Sequence, residues 1–199
     1  MKVRIYVEGG GDKSGDIACR EGFRKLFTRA GFEGQMPSIR ASGPRHIAYN
    51  DFKTAMRQDP ATEYPLLLVD SEGPVADGGW IHLRQRDGWE KPPSAGDDQA
   101  QMMVRCMEIW CVADRDALRN FFHGCLQERA LPALNNLESR SKADVQGALE
   151  HATRDCGRDR AYKKGRRSFE LLGKLNPDEL NKLPHFARLC DTLRRELTS

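Results

Sequence analysis

The chain lacks any apolar run near the ~20 residues that span a bilayer. With 39% hydrophobic and 31% charged residues it reads as a soluble globular protein of 199 residues. It has no Cys-x-x-Cys pair. The six cysteines, at 19, 106, 111, 125, 156 and 190, are scattered, which argues against a zinc ribbon and predicts reduced thiols, not a disulfide frame. It has no Gly-x-x-x-x-Gly-Lys-Ser/Thr, so a P-loop nucleotide site is excluded. Internal repeats, coiled-coil heptads and low-complexity segments are missing too. The opening Met-Lys-Val-Arg-Ile passes directly into a strand pattern, which predicts no signal peptide, no membrane association and a cytoplasmic location. A strong charge excess is also absent, since the net charge is only +3. The small sum hides an asymmetry: residues 1–100 carry 14 Lys/Arg against 15 Asp/Glu, and residues 101–199 carry 18 against 14.

What is present centres on Val3–Asp12. Val3, Ile5 and Val7 alternate with polar residues, then Glu8 meets three glycines, Gly9 to Gly11. That pattern predicts a buried strand, a turn with positive φ, and a helix to about Ala30 capped by Asp12 or Ser14. A carboxylate at the carboxyl end of a strand lies where open α/β sheets place ligands, and the glycines permit close approach of a phosphate or metal-bound group. A short strand is expected over Met36–Ala41 and a helix from about Arg45 to Gln58, closed by Pro60. Tyr64 to Val69 then reads as a strand buried on both faces. Asp70 and Glu72 follow at i and i+2 and leave the strand end on one side. Close carboxylates repel unless a hard cation neutralises them, so Glu8, Asp70 and Glu72 together suit Mg²⁺ or Mn²⁺ and two-metal phosphoester chemistry. Each piece alone also fits a solvated β–α turn or a capped strand end.

Further along, Ser71 to Gly96 reads as a long Gly/Pro/Asp-rich loop, functional or a lid. Within it, Trp80 and Trp89 either pin the loop or offer faces to unpaired bases. His82 is either an acid, a phosphate contact or a structural hydrogen bonder. A short helix is expected from Asp97 or Asp98 to about Arg105, and a strand over Met107–Val112 that puts Glu108, Trp110 and Val112 on one face. A Glu on such a face is either a fourth site carboxylate or the partner of a basic side chain. Asp114 is expected to cap a helix over Arg115–Leu126, with a site role as the alternative. Beyond Pro132 the pattern is helical, with Ser141-Lys-Ala-Asp144 as a variant capping box. Between Arg154 and Lys174 the bases Lys163, Lys164, Arg166 and Arg167 belong to a concentrated basic stretch, either a nucleic-acid contact or a solvated face. The fold expected is α/β: residues 1–126 as a mostly parallel sheet flanked by helices with the 71–96 insertion, and residues 127–199 as a C-terminal helical appendage packed on it.

Glu8 followed by glycines, with Asp70-x-Glu72 after a later strand, resembles the Toprim fold of topoisomerases, primases and overcoming-lysogenization-defect nucleases. There a Glu and an Asp-x-Asp pair bind divalent metal for phosphodiester chemistry; this chain has Glu72 for the second Asp. More specifically the chain resembles the bacterial family known as domain of unknown function 4276, placed among Toprim-like proteins. Val-Glu8-Gly-Gly-Gly-Asp12, Val-Asp70-Ser-Glu72-Gly-Pro, Trp80-Ile-His82-Leu, Arg86-Asp-Gly-Trp89, Met-Glu108-Ile-Trp110, Ala113-Asp114-Arg-Asp and Tyr162-Lys163-Lys164-Gly165 carry the resemblance. It implies a Mg²⁺- or Mn²⁺-dependent nuclease with Glu8, Asp70 and Glu72 as ligands, nucleic acid as substrate, and an ATPase partner of ABC or AAA type in phage defence. The alternative is a non-catalytic binding or sensor subunit of the same ATPase.

Overall fold

The computed structural model describes residues 2–58 and 62–198; the expected helix stop at Pro60 lies outside them. In chain order the elements are β1 (Lys2–Val7), α1 (Lys13–Phe27), β2 (Ser38–Ala41), α2 (Arg45–Ala55), β3 (Glu63–Asp70), α3 (Gly79–Asp87), β4 (Ala100–Met103), α4 (Glu108–Ala113), α5 (Arg115–Phe122), α6 (Lys142–Thr153), α7 (Arg166–Leu172), α8 (Pro177–Leu180) and α9 (Pro184–Thr198). The four strands form one parallel sheet in the order β2-β1-β3-β4. The architecture is therefore the expected α/β sheet flanked by helices.

The strand order carries a consequence for function. The chain leaves β1 for β2 on one side and returns to β3 on the other, so the β1–β3 seam is the topological switch point where open sheets form a crevice. Val7 lies opposite Leu68, and the Glu8 amide donates to the Leu68 carbonyl at 3.0 Å. Sixty residues of sequence separation are thus cancelled by one ladder. β3 is buried on both faces at Leu66, Leu67, Leu68 and Val69, which is why it reads as an unbroken aliphatic run.

Helices cover both faces. On one, α1, α4, α7 and α9 bury Phe23, Phe27, Trp110, Phe169 and Phe186 in a single core with Ile5, Leu66 and Leu68. On the other, α2 and α3 bury Phe52, Trp80 and Leu83 against Tyr6, Leu67 and Val69. The first core runs without a break from Val3 to Leu193, so residues beyond 126 share it with the sheet.

Three expectations are corrected. The stretch 97–105 is not a helix: after a 3₁₀ turn at Asp97–Gln99 it contributes edge strand β4. The run 107–112 is not a strand but the N-cap and first five residues of the six-residue helix α4. All four residues of β4 and all six of α4 are buried, so neither shows the polar face that separates a period of 2 from one of 3.6. The interval 71–96 is not loop throughout, since α3 lies inside it. Trp80 packs on Phe52 at 5.6 Å and donates to the Gly96 carbonyl at 2.9 Å. Trp89 stacks on Tyr49 at 4.4 Å. Both tryptophans pin the segment. A fourth difference is a disulfide between Cys125 and Cys156, while Cys19, Cys106, Cys111 and Cys190 are free and buried.

α1 and α7 meet at Gly22, where an added Cβ would lie 2.5 Å from the Phe169 carbonyl oxygen. Gly22→Ala is therefore expected to overpack this contact at a cost of ~1–3 kcal/mol, lowering the melting temperature by roughly 3–10 °C. Gly147→Ala in α6, where an added Cβ meets nothing within 4 Å, should leave it unchanged or raise it. Thermal unfolding of both variants followed by circular dichroism checks the pair.

Candidate metal centre

At the carboxyl ends of β1 and β3, oxygens of Glu8, Asp70 and Glu72 lie within 4.8 Å of one another. Each arrives by a different device. Glu8 continues β1, and its Oε2 accepts from the Asp70 amide at 3.2 Å, locking the two strand ends together. Asp70 is the last residue of β3 and is 4% exposed; its Oδ1 accepts from the Met107 amide at 3.0 Å at the entry to α4. Glu72 sits at φ +60°, a left-handed conformation uncommon for a non-glycine residue. Its amide is held by the Arg105 carbonyl at 3.0 Å, and Arg105 is itself at φ +60°. Ser71, fully buried between them, accepts from the Arg105 amide at 2.8 Å. Two positive-φ residues on separate segments, Glu72 and Arg105, are thus bonded to each other beside Asp70, and such conformations persist where surrounding bonds over-determine them.

Two cations meet these carboxylates, and the sequence singled out neither. Lys142, the first residue of α6, places its Nζ 3.0 Å from Asp70 Oδ2 and hydrogen-bonds Glu72 Oε1. Arg45, the first residue of α2, lies 3.8 Å from Glu8 Oε2 and donates to the Asp70 carbonyl. Arg45 is tied down elsewhere as well: it pairs with Asp87 at 2.6 Å and its guanidinium lies 5.0 Å from the Trp89 ring centre. The available signal was that both residues open helices, where the macrodipole disfavours a positive charge unless anions compensate. Lys13, Arg115 and Arg166 open helices too, which dilutes that signal.

Burial sets the electrostatics. Asp70 is pushed up to about 7 by desolvation first and then by the Glu8 charge, with Lys142 pulling the other way. Glu8 is raised by burial, opposed chiefly by Arg45. Burial would lower Lys142, but its carboxylate partners outweigh that and hold its ammonium above the usual range. Glu108 is 1% exposed and belongs to the first turn of α4. Its Oε1 accepts from the Tyr162 hydroxyl at 2.8 Å, while its Oε2 is buried with no hydrogen-bond partner among the described residues. Its charge also raises Asp70. Among the described residues its partner is a phenol and not a base, and it stands outside the three carboxylates that converge.

A cleft of about 460 Å³ is lined by Glu8, Asp70 and Glu108 together with Lys164 and Arg166, while Glu72 lies outside its lining. The basic residues singled out in the sequence therefore divide. Lys164 and Arg166 line the cleft, and Arg166 also pairs with Glu170 at 3.0 Å. Lys163 is exposed outside it. Arg167 binds the Arg160 carbonyl and lies 4.5 Å from the Phe121 ring centre, a packing position. Asp12 lines the cleft but caps α1 through the Gly15 amide at 2.8 Å. Asp114 caps α5 and also accepts from the Asn176 amide at 2.6 Å. His82 Nε2 lies 2.7 Å from the Ser71 carbonyl, buttressing the turn that carries Glu72. The glycine turn is less open to an anion than expected, because the Gly9 amide serves Gly43 and the Gly11 amide serves Asp16.

The donor set fits a hard divalent ion: converging carboxylate oxygens, one deeply buried, in excess over the cations that face them. A family described as a domain of unknown function (DUF4276) matches residues 7–194. No curated protein and no solved structure matches the chain.

A carboxyl held at about 7 in the folded chain but near 3.8 when unfolded contributes stability that is full below about pH 4 and lost as pH rises through about 7. Asp70→Asn keeps an acceptor for the Met107 amide and removes that ionisation. In EDTA its melting temperature is expected to match the wild type's near pH 4 and to exceed it by pH 8. A variant several degrees less stable at pH 8 would instead make Asp70 a net stabilising ion-pair member.

Proposed function

The chain belongs to the DUF4276 family, whose description carries no activity, and we propose from its site that it is a divalent-metal-dependent nuclease of Toprim-like type. The observation that carries this reading is the convergence of Glu8, Asp70 and Glu72 at the β1–β3 switch point, where Glu8 and Asp70 line a cleft that Lys164 and Arg166 also line. Mg²⁺ or Mn²⁺ held there would supply Lewis acidity toward a phosphoryl oxygen and a nucleophilic water at neutral pH. The chain's own residues do the rest. Glu8, Asp70 and Glu72 hold the ion, and Lys164 and Arg166 bind and orient backbone phosphates of a nucleic-acid strand. Glu108, whose Oε2 is buried without a hydrogen-bond partner among the described residues, is placed to accept a proton or a second cation. Tyr162 fixes that carboxylate's orientation through its hydroxyl. We place the protein in the cytoplasm, with an ATPase of ABC or AAA type as partner in a phage-defence pair, on the resemblance to Toprim nucleases. Among the described residues no helix is long and apolar enough to cross a membrane.

A second reading is supported by one specific contact. Lys142 already neutralises Asp70 and Glu72, as suits a non-catalytic Toprim-like subunit that binds or senses on behalf of the ATPase. Melting with and without 1 mM Mn²⁺ separates the two, because an ion bound only by the folded state raises the melting temperature with occupancy.

Under the nuclease reading, Glu8→Gln and Asp70→Asn are each expected to abolish Mn²⁺-dependent cleavage of DNA or RNA, by about 100-fold or more, with folding retained. Full activity in both variants would remove the site. Lys164→Glu should weaken nucleic-acid binding and reduce the slope of log affinity against log salt by about one to two phosphate contacts. Charge reversal at Lys163, outside the cleft, should leave that slope nearly unchanged.

A further inference from the structure

The two cations at the centre differ in how firmly they are held, and the difference gives Lys142 a role of its own. Arg45 is anchored by Asp87, by the Trp89 ring and by the Asp70 carbonyl, all independent of the cluster's carboxylate tips. Lys142 has no such anchor: among the described residues its ammonium bonds only Asp70 Oδ2 and Glu72 Oε1. Asp70 has its other oxygen engaged by the Met107 amide, which is fixed by the entry into α4. A metal ion drawn to Asp70 Oδ2 and Glu72 Oε1 would therefore compete with Lys142 for the same oxygens.

We propose that Lys142 is the residue that sets the cation selectivity of this centre, as a tethered monovalent competitor that a divalent ion displaces and a monovalent ion does not. The inference rests on the metal-centre reading above. Exchanging an ammonium for Na⁺ or K⁺ trades one unit charge for another and adds the cost of dehydrating the incoming ion. A divalent ion brings one further charge to a floor of buried carboxylates, where each unit is worth more than in water. The long, unbranched lysine stem allows the ammonium to withdraw without moving α6, which the planar, multiply bonded Arg45 could not do. The position of Lys142 at the start of α6, beside the positive end of the helix dipole, makes withdrawal easier still.

The test is Mn²⁺ affinity of the full chain, measured by electron paramagnetic resonance of free Mn²⁺ or by calorimetry, for wild type, Lys142→Met and Lys142→Arg. Lys142→Met is expected to bind Mn²⁺ about tenfold more tightly, the scale on which groups contacting metal ligands alter affinity. Lys142→Arg, which keeps the charge, should bind no more tightly than wild type. KCl should displace Mn²⁺ from Lys142→Met more than tetramethylammonium chloride does at equal ionic strength, while wild type responds equally to the two salts. Unchanged or weaker Mn²⁺ binding by Lys142→Met, with wild type binding normally, overturns the proposal and makes Lys142 an organiser of the carboxylates. Equal response of Lys142→Met to the two salts overturns its selectivity part. If neither wild type nor folded Lys142→Met binds Mn²⁺, the metal-centre reading itself fails. Lys142→Gln serves in place of the Met variant should that not fold.

Discussion

The Asp70 carboxylate, almost fully buried at the end of a strand inside the sheet, is the constraint around which the molecule is arranged. A lone ionised carboxylate in such surroundings is costly, and proteins answer with a partner, a proton or a metal. This chain supplies pieces of all three answers. Lys142 pairs with it, its proton affinity is raised to about 7, and Glu8 and Glu72 stand within ligand distance of a shared ion. Adding carboxylates around a buried carboxylate makes no sense as packing. It is what the proposed metal centre would need, and perturbed carboxylates of this kind cluster at functional sites.

The parallel ladder between β1 and β3 makes this possible. One-to-one register puts Glu8 beside Val69 and Asp70 with no freedom to slip, because a shift of one residue would turn Val3, Ile5 and Val7 out of the core. The far ends of the site are fixed by packing. α4 enters under Asp70 and buries Trp110 between Phe23 and Phe186, at 6.4 and 5.0 Å. α6 brings Lys142 through Val145 and Leu149, both fully buried. Groups drawn from four segments of the chain are thereby held on rigid elements, with only Glu72 carried by a strained turn.

The sheet's central strands, the glycine turn after Glu8 and the helix caps at Asp12, Asp114 and Ser141 were legible because each is a local signal. Alternating apolar residues, positive-φ glycines and capping side chains act within a few positions of themselves. Asp70 and Glu72 were legible because paired carboxylates after an aliphatic run are unusual for a turn. The exchange of strand for helix between 97 and 113 was not legible, since burial on all sides erases periodicity. Lys142 and Arg45 were missed for another reason: their meaning lies in tertiary contacts with residues 70 and 37 positions away. In the sequence they are only basic residues at helix starts.

The mixed charge of the residues lining the cleft is why Lys164 and Arg166 alone do not make it an anion site. A phosphate approaching the two bases also approaches Glu8, Asp70 and Glu108, which line the same cavity, and like charges at that range repel strongly in a partly desolvated space. Attraction to the bases and repulsion by the carboxylates oppose each other, with Lys142 and Arg45 offsetting only part of the negative charge. If a divalent ion binds the carboxylates as proposed, it reverses that repulsion, and linkage then makes phosphate binding and metal binding favour each other by the same factor. On the reading proposed above, the excess of acid over base among these residues would let a modestly charged protein distinguish a metal-loaded encounter with a polyanion from an unloaded one.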